Sequence, residues 1–497
     1  MIVAILKQKF CDHYRFYASL FIFIIILCCL YLPFYIWGLF ADDFGIIRHV
    51  MDVGFKKIGT FFYEGETFSA VLNPNYVNTL DNFLGGLYRP MVFIYSLLQV
   101  HFFGPNPSAY LFVSIFLHSL NSVFLFNIIY TFEKTFAAVV LALCFAFHSS
   151  LFNWLGWFSG QQYIIELTCL ILILLTLKKY IVSQKYYFYF LSMFLYLLNV
   201  FQREMMVVFP FWVVFFCSFY NFKDDQISFN VIRGLKLSCG YFFALFTYII
   251  SRGLVFSFNI KTTSNATLMF DLNFKSFILR MSERFYDFVT ILSDYLGLRI
   301  LPQNHQFVKG GLIAIFIGVL VFLFLRNSKK GLVILTFISC VMFSWIPILL
   351  THQPRYIYVG LFFFMISLAL LYHFSDLNKN CKKCLLVLVL AYISINYVCL
   401  AHGMEYCRIK YSCATEKLKK LGSNINLILK KSKSFGPIYF HNLPADFTFA
   451  TNQAIRLYSD CPRLQVYETD DKAKYKINGI EVTWDDVKND FHVEVIH

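Results

Sequence analysis

The chain has 497 residues, of which 58% are apolar and 14% charged, with a net charge of +14 and a mean hydropathy of +0.61. A water-soluble protein of this length needs far more charge to cover its surface, so the composition excludes an ordinary soluble domain. The positive balance would suggest nucleic acid in a soluble chain. Here Lys and Arg stand in short clusters between apolar runs, as at a cytoplasmic membrane face, so no nucleic-acid partner is expected.

The first apolar run, 17–40, is too long for the core of a signal peptide, and no small-residue cleavage site follows it. As a helix it would rise about 35 Å, enough to cross a bilayer. Lys7, Lys9 and Arg15 precede it and predict a cytoplasmic N-terminus, with Asp42 emerging outside. Further spans are predicted at 110–130, 136–151, 163–177, 186–200, 205–220, 237–257, 312–325, 332–350, 357–374 and 385–400. Alternation then puts Lys134, Lys178, Lys223, Arg233, Arg326, Lys329 and Lys382 all inside. That agreement requires 88–103, with about 14 apolar residues after Arg89-Pro90, to be a re-entrant or interfacial helix within one external loop, 41–108. Ile47, Val50, Met51, Phe55 and Ile58 recur at helical spacing in that loop and read as a helix along the membrane surface.

Charge shifts near Ala401: 26 of the charged residues fall in the last 96 positions. The expected fold is therefore an all-α polytopic membrane module over 1–401 with about eleven transmembrane helices, and a small α+β extracytoplasmic domain over 402–497. In the latter a helix is predicted over 405–431, with strands at 438–440, 447–449, 465–467, 474–477 and 480–482. Most of the fourteen cysteines lie inside apolar runs and read as small hydrophobes. Cys381 and Cys384 have a CxxC spacing without a second pair, which argues against zinc. Cys407, Cys413 and Cys461 would share the external compartment, where one disulfide can form, but three cysteines do not fix the pair. Asn265-Ala266-Thr267 is a glycosylation sequon on the predicted external side.

Three external features carry chemistry. Asp42-Asp43 follows the first span, Tyr88-Arg89-Pro90 opens the short helix, and Arg355-Tyr356-Ile357-Tyr358 precedes the tenth span. A carboxylate at a membrane surface can take a proton from a hydroxyl nucleophile, and two guanidinium forks match the oxygens of a phosphate. Each also has a plainer reading: a solvated Asp pair, and arginines snorkelling at span ends.

Taken in order, these features resemble the GT-C superfamily of membrane glycosyltransferases, in its mannosyltransferase-like and aminoarabinose-transferase-like branches. The resemblance runs over roughly 18–375. It rests on Asp42-Asp43, on Arg89-Pro90 through Phe103-Gly104, on His118 and Asn121, on Ala142 to His148, on Arg203-Glu204 with Pro210, and on Arg355-Tyr356-Ile357-Tyr358. It implies inverting transfer of a sugar from a polyprenyl-phosphate donor to a glycan, lipid or protein hydroxyl on the extracytoplasmic face. Asp42 or Asp43 would be the base, and Arg89 and Arg355 would bind the departing phosphate. Tyr356 and Tyr358 would bond the phosphate or sit in the aromatic belt, and Arg203 would touch the donor or form a structural ion pair with Glu204. The second external loop keeps Trp157 to Gly160, but Gln161 and Tyr163 stand where many relatives carry Arg and Asp, and Asn153 replaces a Glu. Glu166 nearby reads equally as a span-end residue. The departures imply a metal-independent reaction without a cofactor. Phe440 to Pro444 resembles a segment in the tails of some bacterial relatives. The implied location is the inner cell membrane or, alternatively, the endoplasmic reticulum. Rival readings are a surface-polysaccharide polymerase or ligase and a lipid-linked-substrate flippase.

Overall fold

The computed structural model describes residues 17–18, 20–29, 38–39, 42–63, 89–133, 136–221, 226–227, 229–256, 318–319, 321–322, 330–351, 357–432, 438–441, 466–468, 479–485 and 490–496. These are mostly helical. The principal helices are α1 Asp42–Val53, α2 Pro90–Phe103, α3 Pro107–Phe132, α4 Phe136–Ala146, α5 Gln161–Ser183, α6 Tyr186–Gln202, α7 Phe209–Phe219, α8 Val231–Phe256, α9 Lys330–Thr351, α10 Ile357–His373 and α11 Lys379–Ser432. Among the described residues, three stretches are long and apolar enough, by length and composition, to cross a membrane: Pro107–Phe132, Val231–Leu254 and Lys379–Ile428. Shorter apolar helices include Leu20–Cys29.

Local chemistry sets the helix ends. Asn106 Oδ1 accepts the backbone N–H groups of Ser108 and Ala109 at 3.2 and 3.4 Å, capping α3, whose first residue is Pro107. Pro90 likewise opens α2, and Gly104, at φ +59°, closes it by donating its N–H to the Val100 carbonyl at 2.8 Å. A side chain there would be strained. Within α3 the hydroxyls of Ser119 and Ser122 donate to the carbonyls four residues back, Ile115 and His118, which satisfies them without water. The predicted span at 205–220 opens instead as a 3₁₀ turn over Glu204–Val208, and regular helix begins only at Phe209, where Pro210 fits the first turn.

The chain divides into two compact units. The first comprises the described residues within Met1–Pro33, Phe112–Leu155 and Gly160–Met404. In it α5 and α6 form an antiparallel hairpin joined through Gln184, and α7 and α8 another, joined at the two-stranded ladder β1 (Tyr220–Asn221) and β2 (Gln226–Ile227). Asn230 caps α8 through the Arg233 N–H, and Arg233 Nε donates to the Cys217 carbonyl at 2.7 Å near the C-terminal end of α7, where a cation suits the helix dipole. At the ends of α3 and α10, His373 Nδ1 meets Glu133 Oε2 at 2.8 Å. Along α8 the residues Ile232, Leu235, Phe243, Phe246, Ile249 and Leu254 are exposed, a continuous apolar face of the kind that lipid rather than water covers.

The second unit comprises Phe34–Leu111, Gly156–Ser159 and Glu405–His497. Phe44, Ile46, Ile47 and Val50 of α1 pack on Phe93, Leu97 and Val100 of α2, with Leu39, Phe61, Tyr110, Phe158 and Leu418 in the same core. The loop expected to belong with the membrane module thus shares its core with the C-terminal region. The apolar face of α1, read as a lipid-facing surface, is divided: Ile47 and Val50 are buried in protein, while Met51 and Phe55 remain exposed. Near the C-terminus, β3 (Ile438–His441) pairs in parallel with β4 (Val466–Glu468) and with β5 (Gly479–Asp485), and β5 pairs antiparallel with β6 (Asp490–Ile496). Ile438, Ile480 and Val482 of this sheet pack on Leu421 and Ile425 of α11.

Two sequence expectations change here. The runs 385–400 and 405–431, read as separate helices either side of a boundary at 401, are one helix, α11. Gly403 suggests a break, but a lone glycine costs a helix only about 1 kcal/mol, and good helix formers flank it. The strand β6 is not among the predicted ones, although Phe491, Val493 and Val495 alternate with polar residues as a half-buried strand requires. The strands expected at 447–449 and 474–477 and the sequon lie outside the described residues, as does most of the span expected at 312–325.

Candidate functional site

The α1/α2 pair places two of the candidate side chains. Ring contacts join the pair: His49 of α1 lies edge-on to Phe93 at 5.2 Å, and Phe55, just after α1, lies edge-on to His101 at 5.0 Å. Asp43 stands six residues before His49 and Arg89 four before Phe93, which is about 9 and about 6 Å back along their axes.

Both are sheltered: Asp43 is 1% exposed and Arg89 7%. The plainer reading of a solvated carboxylate does not describe Asp43. Its Oδ1 accepts the backbone N–H of Ser159 at 2.9 Å, which fixes the carboxylate from the segment Gly156–Ser159. Phe158 in that segment packs against Tyr110 with tilted rings 4.4 Å apart, and the Tyr110 hydroxyl donates to the Gly104 carbonyl at the end of α2. Asp42 is the first residue of α1, and its side chain lies outside the described residues, as do Arg355 and Tyr356.

Backbone contacts hold the chain ahead of the acidic pair. The Leu39 N–H donates to Thr415 Oγ1 at 2.8 Å, and the Thr415 hydroxyl donates to the Leu39 carbonyl at 3.2 Å. Gly38 passes so close to α11 that a Cβ there would sit 2.0 Å from the Tyr411 carbonyl oxygen.

The remaining candidates lie in the first unit. Arg203 is fully buried at the C-terminal end of α6, with its Nη1 3.1 Å from Glu166 Oε2 and its guanidinium 3.7 Å over the Tyr163 ring. A partner from the facing helix is Glu166 of α5; the side chain of the adjacent Glu204 lies outside the described residues. Neighbouring bonds bind α6 to α5: Gln202 Nε2 donates to the Gln162 carbonyl at 2.7 Å and Asn199 Nδ2 to the Glu166 carbonyl at 3.1 Å. Tyr358, expected at the phosphate or in the aromatic belt, is completely buried. Its hydroxyl lies 2.7 Å from His118 Nδ1 and accepts from Asn121 Nδ2 at 3.4 Å, while Thr168 Oγ1 donates to Asn121 Oδ1 at 2.9 Å. Trp154 bridges the two groups, with ring centroids 5.3 Å from Tyr358 and 6.3 Å from Tyr163. Satisfied polar side chains of this kind bind helices together where water is absent.

Neither Ser159 nor Thr415 is visible as a partner in the sequence, because each acts on backbone or through backbone. Among the described residues no three His, Cys, Asp or Glu side chains converge to hold a metal ion. Cys413 is a free, exposed thiol, while the Cys407 side chain and Cys461 lie outside the described residues. A carboxylate held in place in this way can take a proton from a hydroxyl, and a guanidinium can recognise an anion. No protein-family model matches the chain, and no curated protein matches it in sequence.

Proposed function

We propose that the chain is a polytopic membrane glycosyltransferase of the GT-C type, using a polyprenyl-phosphate sugar and acting at the extracytoplasmic face of the cell membrane. The observation that carries the reading is the buried Asp43 carboxylate of α1, held by the Ser159 N–H, with Arg89 buried at the start of α2, the helix that packs on α1. The exposed apolar face of α8 and the three long apolar helices support the membrane setting. The full reading has eleven spans, an N-terminus inside, and a C-terminal α+β domain outside.

In the reaction, Asp42 or Asp43 accepts the proton of the acceptor hydroxyl. Its oxygen forms a bond to the anomeric carbon with inversion. The bond from that carbon to the phosphate oxygen breaks, and polyprenyl monophosphate departs with the electron pair. Arg89 and Arg355 face the charge that grows on the phosphate, with Tyr356 as a further donor. Arg203 is spoken for by Glu166 and Tyr163, and supports the bundle rather than the phosphate.

Membranes carrying the chain, supplied with a polyprenyl-phosphate sugar, release polyprenyl monophosphate, and Arg355→Ala lowers donor use more than Arg355→Lys. Release of the diphosphate instead would favour a polysaccharide polymerase or ligase. No release from the unaltered chain with any such donor would overturn the proposal.

A further inference from the structure

We infer that Thr415, on the C-terminal part of α11, is a positioning residue for the acidic pair, so that this helix belongs to the machinery of the reaction. The inference rests on the glycosyl-transfer reading and adds a part to it. Thr415 is 4% exposed and its one hydroxyl serves both polar groups of Leu39, accepting from the N–H at 2.8 Å and donating to the carbonyl at 3.2 Å. In a buried site those two backbone groups lose their partner when the hydroxyl is removed. Gly38 completes the clamp, because the backbone passes α11 where no Cβ fits. Leu39, Phe44 and Leu418 share one core, so the same helix holds the chain on both sides of Asp42-Asp43 by packing.

Chain length converts the clamp into control of the site. Asp42 follows Leu39 by three residues and Asp43 by four, a reach of at most about 10 and about 14 Å. Asp43 is held from the other direction by the Ser159 N–H. With both ends of so short a segment held, the Asp43 carboxylate is confined to one place. Release of Leu39 leaves the residues intact but their placement loose, and small misplacements of a base are costly in rate.

The test compares Thr415→Val, which keeps shape and removes the hydroxyl, with Thr415→Ser, which keeps the hydroxyl, in the full-length chain in membranes. The Val chain loses about tenfold or more in kcat with donor KM within about twofold, and the Ser chain recovers most of the rate. Amide hydrogen exchange over residues 38–50 speeds up in the Val chain and not in the Ser chain. This readout needs no activity, so it stands even if the unaltered chain releases no polyprenyl phosphate and the functional reading falls. An unchanged kcat or unchanged exchange in the Val chain overturns the inference, as does a Ser chain as impaired as the Val chain. If the Val chain does not accumulate, Thr415→Ala is judged by the same criteria. Failure of both to accumulate beside a normal Ser chain assigns the hydroxyl to folding and overturns the positioning role.

Discussion

His118 Nδ1 and the Tyr358 hydroxyl lie 2.7 Å apart although 240 residues separate them in sequence, and Asn121 donates to the same oxygen. One phenol thereby ties α10 to α3, and Asn121 extends the tie to α5 through Thr168 and the Ile164 carbonyl. Tyr358→Phe removes the shared oxygen and strips two donors or acceptors of a partner. The expected loss is about 1–2 kcal/mol, seen as a lower midpoint in thermal unfolding of the detergent-solubilised chain. His118→Ala combined with Tyr358→Phe should cost less than the two losses added, and full additivity would show that the two side chains do not interact.

The buried pair Arg203–Glu166 makes a sharper prediction. Glu166→Gln or Arg203→Met leaves one charge alone in the interior, at a cost of about 3–5 kcal/mol. Arg203→Lys does not restore stability, because an ammonium cannot lie flat on the Tyr163 ring while facing the carboxylate. Yield and unfolding temperature of the folded chain measure this. Equal stability of the Lys and Arg chains would show that the stacked geometry is unimportant.

For the chemistry, Asp42→Asn and Asp43→Asn keep shape and remove the base, and one of them lowers transfer by about 10²-fold or more. In the Asp43→Asn chain the new amide oxygen still accepts the Ser159 N–H, so that variant folds. The readout is polyprenyl monophosphate released per mole of chain. Undiminished release from the double Asn variant would remove the acidic pair from the mechanism.

His49, enclosed by Phe61 and Phe93, predicts a pH dependence of the second unit. Burial pushes its pKa down to about 4, against a smaller upward pull from Asp52. Between about 6.5 and about 4 the unfolded chain therefore binds the proton and the folded chain does not. Stability from this residue is complete above the unfolded value and declines as pH falls across that window. His49→Gln flattens the slope of unfolding free energy between pH 7 and 5. An unchanged slope would place its origin elsewhere.

The topology is open to direct labelling. A cysteine at Gly104 reacts with an impermeant reagent from outside, and one at Lys134 reacts only from the cytoplasmic side. Access to position 104 from the cytoplasm would mean that α2 crosses the membrane, and the parity of the basic clusters would fail.

How far the sequence carries these conclusions depends on the kind of signal. Long apolar runs are local, and α3, α5, α6, α8, α9 and α10 lie where those runs are. The short helix after Arg89-Pro90 is legible for the same reason, since proline marks its start and Gly104 its end. Partners are harder. Glu204 is adjacent to Arg203 and catches the eye as its counterion, while nothing local in the sequence shows that Glu166 reaches it from the facing helix. The hold on Asp43 is invisible because its donor is a backbone N–H, which every residue except proline has. Tyr358 looks like a belt residue because its motif lies at a span end; only the tertiary structure brings His118 to it.

The sheet beside α11 ends, among the described residues, on β6, an outermost strand with one row of backbone groups turned away from its neighbour. Such a strand is a template on which another copy can polymerise. On β6 the apolar Phe491 and Val493 alternate with His492 and Glu494, which are exposed and joined by a 2.7 Å contact. A second β6 laid alongside would strip water from the exposed His492–Glu494 pair, so the alternation that builds the core also disfavours pairing between copies. Replacing those two residues with valine or threonine would leave the fold intact and turn its edge adhesive.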